Sequence, residues 1–388
     1  MTTAAALTIP FARPWITEEE RQAVTEVLAS PILTHGPQGK AFEAEFGAFL
    51  GEGAHCVSVS SCMAALHLAY LHFGIGPGDE VIVPAQTHAA TAHAVEWVGA
   101  RPVFVDCDPK TGNLTARDIE AAVTPRTRAL SVVHFVGIPC DMPTIVEIAE
   151  RYSLIVIEDC AVALGARVDG RHVGLFGDAG GFSFYPAKHI TTGEGGMFVT
   201  RHPMVAAAVG KLRAFGVDRA SNERGVPGLY DVPILGLNYR MSELQAALGR
   251  VQLRRIEENL RRRRANFTEL QRALQGVPDV RVLDAEDVPP MRSSHYCLVL
   301  VLEGRLRGRR GELIARLNAA GVGTSIYYPH PVPRLSYYRH KYGYDAARVP
   351  AAAAISDESL ALPVGPHVSD DLGCLVEQVV KVLDEVRG

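Results

Sequence analysis

Two side chains carry the chemistry this sequence most plainly offers: Lys188, in GGFSFYPAKHITTGEGG (180–196), and Asp159, near the end of SLIVIEDCA (153–161). A lysine attacks a carbonyl only as the free amine, which forms where burial or a neighbouring cation lowers its pKa. The apolar run GFSFY, feeding a tight turn in a Gly- and Ser-rich surround, provides such a place for Lys188. SLIVIEDCA is a continuous apolar run of strand length that closes on Glu158 and Asp159. Carboxylates at the carboxyl end of a buried parallel strand lie where open α/β sheets bind their ligands. An aspartate aimed at a pyridine nitrogen keeps that nitrogen protonated and makes the ring an electron sink. With a lysine on the cofactor's aldehyde carbon, these are the two protein groups that pyridoxal 5′-phosphate (PLP) chemistry most needs.

The surrounding elements must bring these two residues together. Thr17 followed by Glu18, Glu19 and Glu20 reads as an N-cap with acids in the first turn of a helix running to about Ser30. A second helix carries Phe42, Phe46 and Phe49 at helical spacing, which marks a core face. A short strand, Cys56 to Val59, breaks at Ser60 and Ser61 before an Ala/Leu-rich helix, and the free N–H groups at such a helix start can hold a phosphate. Strands at 80–83 and 102–106 flank a helix at 87–98, and the residues after Pro84, His88 among them, fall at the carboxyl edge of the sheet. A helix at 115–123, a strand at 129–137 and a helix at 143–152 lead to the Asp159 strand. This alternation predicts a mainly parallel sheet covered on both faces, with Asp159 and Lys188 reaching one cleft from neighbouring strand ends. Ser242 then caps a helix with Met241, Leu244, Leu248 and Val251 as its stripe. After about Arg255 the pattern changes to a long charged helix, a strand at 295–302, an Arg/Gly loop at 304–310, a helix at 312–320, a strand ending in IYYP and a last helix opened by Ser369 and Asp370. The expected division is a large α/β domain over 1–254, begun by an extended arm (1–14), and a smaller α+β domain over 255–388.

Composition narrows the function. A chain of 388 residues, 47% hydrophobic, can bury a large core and divide into a major and a minor domain. A net charge of −4, with no helix-turn-helix pattern or basic recognition face, gives no case for nucleic acid. The basic run Arg261 to Arg264 accompanies an apolar stripe of Leu253, Ile256, Leu260, Phe267 and Leu270, so it reads as a solvated helix face, with contact to a substrate diphosphate left open. Seven cysteines form no CxxC pair and fit buried thiols of a reducing cytosol. Fourteen histidines make no HExxH, and His67/His72 and His88/His93 are five apart, so no metal is expected. No signal peptide and no apolar span of transmembrane length stand out, and a soluble cytoplasmic protein is the expectation.

Seven blocks in order, PFARPWITEEE (10–20), SCMAALHLAY (61–70), GIGPGDEVIVPA (74–85), GARPVFVDCDP (99–109), IEDCAVALGA (157–166), FSFYPAKHITTGEGG (182–196) and LNYRMSELQAALG (237–249), resemble the DegT/DnrJ/EryC1/StrS aminotransferases from residue 7 to about 370. The resemblance implies the PLP-dependent transferase fold of type I, with a mainly parallel seven-stranded sheet. It also implies an amino group moved from L-glutamate to the keto group of a nucleotide-linked deoxy-sugar, with pyridoxamine 5′-phosphate as the form between the half-reactions, and a homodimer with shared active sites. By the same resemblance Lys188 bonds PLP and moves the proton, and Asp159 faces the ring nitrogen. The backbone amides of Cys62 and Met63, where the family usually has Gly-Thr, hold the phosphate together with the Ser183 hydroxyl. Asn238 reaches the phosphate in the partner's site, and His88 stands where the family stacks an aromatic ring. Taken from the residues alone, the alternative readings are a strand serine for Ser183, a turn residue for Asn238 and a loop or cap residue for His88, with the cofactor reading favoured for Ser183 and His88.

Besides Cys62, Met63 and His88, further positions depart from the family pattern. Val162 replaces the glutamine that bonds the cofactor's phenolic oxygen, Leu164 replaces a histidine, and Tyr327, followed by Tyr328, stands where a histidine followed by tyrosine is usual. His35, Gly36 and the loops 31–38, 213–232 and 326–340 fall where substrate specificity would lie. An amino-cyclitol acceptor uses the same residues, whereas PLP-dependent sugar dehydratases of the family typically lack the lysine. A catalytically silent binding protein on this fold is the reading of another class. Intact Asp159, Ser183, Lys188 and Asn238 speak against it.

Overall fold

The computed structural model describes residues 8–51, 53–218, 226, 229–283 and 289–388, so the first seven residues of the expected arm and part of the 213–232 loop lie outside the described residues. In chain order the elements are α1 (Glu18–Leu28), α2 (Pro37–Leu50), β1 (His55–Val59), α3 (Cys62–His72), β2 (Glu80–Pro84), α4 (Ala89–Trp97), β3 (Arg101–Val105), α5 (Ala116–Ala122), β4 (Thr127–Val133), α6 (Met142–Tyr152) and β5 (Ile155–Asp159). Next come β6 (Arg167–Val168), β7 (Arg171–His172), β8 (Ala179–Ser183), β9 (Gly196–Thr200), α7 (Pro203–Leu212), α8 (Glu243–Arg254) and α9 (Ile256–Leu274). The C-terminal part adds β10 (Val280–Val282), β11 (Met291–Arg292), β12 (Leu298–Leu302), α10 (Arg310–Ala319), α11 (Ser336–Tyr342), α12 (Pro350–Glu358), β13 (Ser359–Leu362) and α13 (Leu372–Arg387).

The central sheet has seven strands in the order β1-β9-β8-β5-β4-β2-β3. Only β9 runs against its neighbours, pairing antiparallel with β1 and β8, while β8, β5, β4, β2 and β3 pair in parallel. This is the mainly parallel sheet that the strand and helix alternation predicts. Successive strand side chains point to opposite faces. Val81, Val83 and Ile157 pack on the face of α3 and α4, whereas Ile82, Leu130, Val132 and Val156 pack against α5 and α6. Phe42 and Phe46 of α2 meet Phe182 and Phe184 under the β8 side of the sheet. Helices thus cover both faces, and the parallel strands β2, β3, β4, β5 and β8 all end at one edge.

The C-terminal residues build a second, antiparallel sheet, β10-β12-β13, against α9, α10 and α13. Its core also takes Ile9, Ala85, Phe135 and Val162 from the N-terminal part. The described part of the arm lies along this region, where Ile9 exchanges backbone bonds with Gly321 and Gly323. Among the described residues, no helix is long and apolar enough to cross a membrane.

Several expected elements differ. The strand at 129–137 ends at Val133, because Val136 (φ 45°) and Gly137 (φ 88°) turn the chain through left-handed backbone. The strand at 295–302 starts only at Leu298. The segment ending in IYYP forms no strand: it sits between the arm and β13 and pairs through an isolated bridge, Ser325 to Ala361. The third strand of the small sheet is instead β13, a buried four-residue run. In α8, Leu244 and Leu248 are only half-buried, since Ala246, Ala247 and Gly249 let α2 approach closely. Of the basic run on α9, Arg261 and Arg262 pair outward with Glu258, but Arg263 is buried. Arg263 lies seven residues after Ile256 and four before Phe267, in register with the apolar stripe, so the helix turns it inward.

The aromatic cluster under β8 generates a stability prediction. Phe46→Ala should destabilise the protein by about 3–5 kcal/mol, read as a lowered denaturant midpoint with an unchanged m-value.

Candidate active site

Asp159 closes β5 and sits beside Gly181 of β8 in the sheet register. Its carboxylate is buried, at 6% exposure, and every contact on it is a donor. Thr91 Oγ1 of α4 donates to Oδ2 at 2.7 Å. The Ala161 amide donates to Oδ1 at 3.0 Å, and the Cys62 thiol reaches the same oxygen at 3.7 Å. Burial and the neighbouring Asp159 charge push the Cys62 thiol well above its usual pKa, which keeps its proton in place.

The adjacent Glu158 faces the other way, as strand alternation requires. Its two oxygens accept the amides of Gly174, Phe176 and Gly177 at 2.7–2.8 Å, and His134 Nε2 lies 3.0 Å away. His134 Nδ1 accepts the Cys140 amide, so Nε2 carries the proton to Glu158. Ligand-type atoms of His134, Glu158 and Cys160 lie within 4.8 Å of one another. Both imidazole nitrogens are engaged and burial keeps the Cys160 thiol protonated, so this cluster is a structural clamp on the 174–177 turn.

Lys188 follows β8 in a turn where its own amide bonds to Tyr185 O. The side chain is half-buried, and its Nζ lies 5.2 Å from the ring centre of Tyr296. Burial lowers its pKa, opposed by the fields of Cys62, Asp159 and Cys297. Tyr296 itself is 3% exposed, and its hydroxyl meets that of Tyr327 at 2.7 Å. Tyr327 is tied by its carbonyl to Gln86, in the segment after β2. The C-terminal residues thereby close over the strand ends.

The remaining expected site residues fall around this pair. Ser61 caps α3 by accepting the Ala64 amide at 3.1 Å. That leaves the amides of Cys62 and Met63, at the first two helical positions, without an intrahelical acceptor. Gly196 lies so close to this turn that a Cβ would stand 2.6 Å from Cys62 N. Ser183 ends β8 half-buried, with Oγ 3.4 Å from the Tyr185 amide. His88 is the N-cap of α4, accepting the Ala90 amide on Nδ1, and its exposed ring meets Tyr328 edge-on at 5.5 Å. Burial of its inner side, with the Lys188 and His93 charges, lowers its pKa against the pull of Asp159.

Val162 and Leu164 are buried in core clusters, and only the Val162 carbonyl makes a polar contact, with Ser294 Oγ. Asn238 is exposed on a segment bridged to Ala214 and lies outside the Lys188 surroundings of this chain. Two of the three expected specificity loops do meet. His35, Lys40, Lys211, Phe215, Tyr230 and Arg240 line a cavity of about 570 Å3 between them.

The arrangement fits PLP: a buried carboxylate, a lysine with a lowered pKa and a helix start with free amides converge at one sheet edge. The sequence matches the DegT/DnrJ/EryC1/StrS aminotransferase family over residues 14–384. The chain belongs to that family. It is 39% identical over 386 residues to the spore coat polysaccharide biosynthesis protein SpsC of Bacillus subtilis, covering 98% of this chain and 97% of SpsC. It is 37% identical over 381 residues to the GDP-perosamine synthase of Caulobacter vibrioides, covering 97% and 98%. Its fold superposes on the PLP form of Spr1654 from Streptococcus pneumoniae with a TM-score of 0.90 at 28% identity, covering 98% and 99%. As a DegT/DnrJ/EryC1/StrS aminotransferase the chain is an enzyme that uses PLP, and its fold is the one expected from the sequence.

Sequence reasoning missed Thr91 and Tyr296 in this family member. Thr87, just before the α4 cap, and Thr91, in its first turn, stand four apart, a spacing that was legible, but a buried threonine pair has no signature of its own. Tyr296 stood in a segment read as plain strand.

The lowered Lys188 pKa has a sign for stability. A base that loses its proton more readily when folded makes the folded state less stable at low pH. Lys188→Met should therefore raise the melting temperature of the cofactor-free protein. The gain should be full below the folded-state pKa of the lysine and fade as pH rises to its ordinary value near 10.5. Melting curves across pH check this.

Proposed function

We propose that this chain transfers an amino group from an amino acid, L-glutamate in the first instance, to the keto group of a nucleotide-linked deoxy-sugar. The observation that carries the reading is the half-buried Lys188, its pKa lowered by burial, held at the same sheet edge as the buried Asp159. PLP, when bound, supplies an electron sink and a carbon that carries the amino group between donor and acceptor. Lys188 would hold that carbon through Nζ, and its amine, when free, would be the base for the donor's α-proton.

Asp159 keeps the cofactor's ring nitrogen protonated, a role that matters most as charge develops. The amides of Cys62 and Met63 and the hydroxyl of Ser183 take the phosphate, where the α3 dipole adds to the attraction. His88, at the α4 cap, would offer its imidazole face to the cofactor's ring. Val162 supplies no hydrogen bond from its side chain, so the cofactor's phenolic oxygen loses that partner.

The working unit in this reading is a homodimer in which Asn238 reaches the partner's phosphate site. Exposed apolar side chains on two segments beside it support a covered face: Leu28, Ile32 and Leu33, and then Leu229, Val232 and Leu235, the last 93% exposed. We retain the division into residues 1–254 and 255–388, which the turn at Arg255 between α8 and α9 supports. The seven free cysteines, five of them buried, support a reducing cytoplasm.

The test is the visible absorption of the PLP-loaded protein before and after L-glutamate. A visible band that gives way to an ultraviolet one on adding L-glutamate is expected, followed by its return with a nucleotide-linked keto-sugar. Lys188→Ala should remain folded and lose turnover. Sustained turnover by that variant would overturn the mechanism.

A further inference from the structure

The Asp159 carboxylate does not stand alone against the cofactor. Thr91 is fully buried, and its hydroxyl contacts two groups, Asp159 Oδ2 at 2.7 Å and Thr87 Oγ1 at 2.8 Å. A hydroxyl has one proton to give and lone pairs to receive with. An ionised carboxylate can only accept, so the Thr91 proton goes to Asp159 and the Thr87 proton must go to Thr91. The two threonines therefore form a directed chain, Thr87 to Thr91 to Asp159. On the other oxygen, the Ala161 amide and the Cys62 thiol also donate.

The chain is fixed in space as well as in direction. Thr91 lies in the first turn of α4, where its amide bonds to the His88 carbonyl. One helix start thus carries the His88 ring at the surface and the Thr91 hydroxyl in the interior. The titratable groups whose fields reach Asp159 are Lys188, His88, Cys62, Cys160, Tyr70 and Tyr328. None of them is a carboxylate that competes for the Thr91 proton.

We propose that Thr91, oriented by Thr87, is a positioning residue that keeps Asp159 ionised and thereby leaves the shared proton on the cofactor's ring nitrogen. The inference rests on the proposed pairing of Asp159 with that nitrogen. Donors to a carboxylate favour its charged form. Loss of the Thr91 donor makes Asp159 more basic, and the proton moves from the ring nitrogen to Asp159. The ring then becomes a neutral pyridine, a weaker electron sink, with no change in the groups that hold substrate.

The experiment loads wild type, Thr91→Val and Thr91→Ser with PLP labelled with nitrogen-15 in the ring and reads the label by NMR. Steady-state kcat and KM and the melting temperature are measured alongside. Wild type should give a pyridinium shift. Thr91→Val should move toward neutral pyridine and lose about ten- to a hundredfold in kcat, the weight of one hydrogen bond to a charged group, with KM little altered. Thr91→Ser, which keeps the hydroxyl, should recover both.

A Thr91→Val protein that folds, keeps the wild-type shift and keeps its kcat would overturn the proposal and leave Thr91 as a tie between α4 and β5. Should Thr91→Val fail to fold, Thr87→Val replaces it, with a smaller shift in the same direction expected and an unchanged shift overturning the proposal. A wild type that takes up no PLP, or holds it with a neutral ring, instead overturns the pairing of Asp159 with the cofactor.

Discussion

A carboxylate buried at the end of a strand must be surrounded by hydrogen-bond donors, and this site is built around meeting that requirement for Asp159. The donors come from three different places in the chain: Cys62 at the start of α3, Ala161 just beyond β5 and Thr91 in the first turn of α4. Each depends on the parallel sheet for its position. The strands β1, β2 and β5 run the same way, so the helices that follow the first two begin at the edge where the third ends. One backbone arrangement therefore delivers the α3 start with its free amides, the His88 cap and the donors to Asp159 together.

The lysine poses the opposite problem. Lys188 has to lose its proton readily while lying in the field of Asp159, which favours the charged form. Burial outweighs that field here, and the aromatic wall explains why. Tyr296 presents its ring to Nζ and spends its hydroxyl on Tyr327, while Tyr328 and His88 close the outer side. Apart from Asp159 and His88, the surfaces near the amine are rings and protonated thiols, which solvate an ammonium poorly. An aromatic face still offers some attraction to a cation, so the released amine has a seat without a fixed counter-ion.

Much of this was legible in the chain. Lys188, Asp159 and the Ser61–Cys62 helix start were readable because each sits where an apolar run stops, and the period of that run says which end of the sheet it reaches. The pair Glu158 and Asp159 was readable only as two carboxylates. Which one turns toward α3 depends on strand alternation relative to the covering helices, and that became clear only once α3 and α4 were seen to share the Ile157 face. Arg263 was hidden for a related reason: composition marks four arginines as a solvated run, while the helical period places one of them on the buried stripe, where its guanidinium holds the Tyr296 carbonyl and Asn259. Thr91 and Tyr296 were invisible because their roles are made by contacts across the fold.

The departures from the family pattern converge on the same region. Val162 turns its side chain into the core shared with the C-terminal sheet, and its carbonyl receives Ser294. Ser294 also accepts His189 Nε2 on its own carbonyl, and it stands two residues before Tyr296. The loop after β5, the turn carrying Lys188 and the strand entry carrying Tyr296 are thus tied through one serine. With an apolar side chain at position 162, the loop after β5 makes its tie through its backbone, and that tie fixes the wall that faces Lys188.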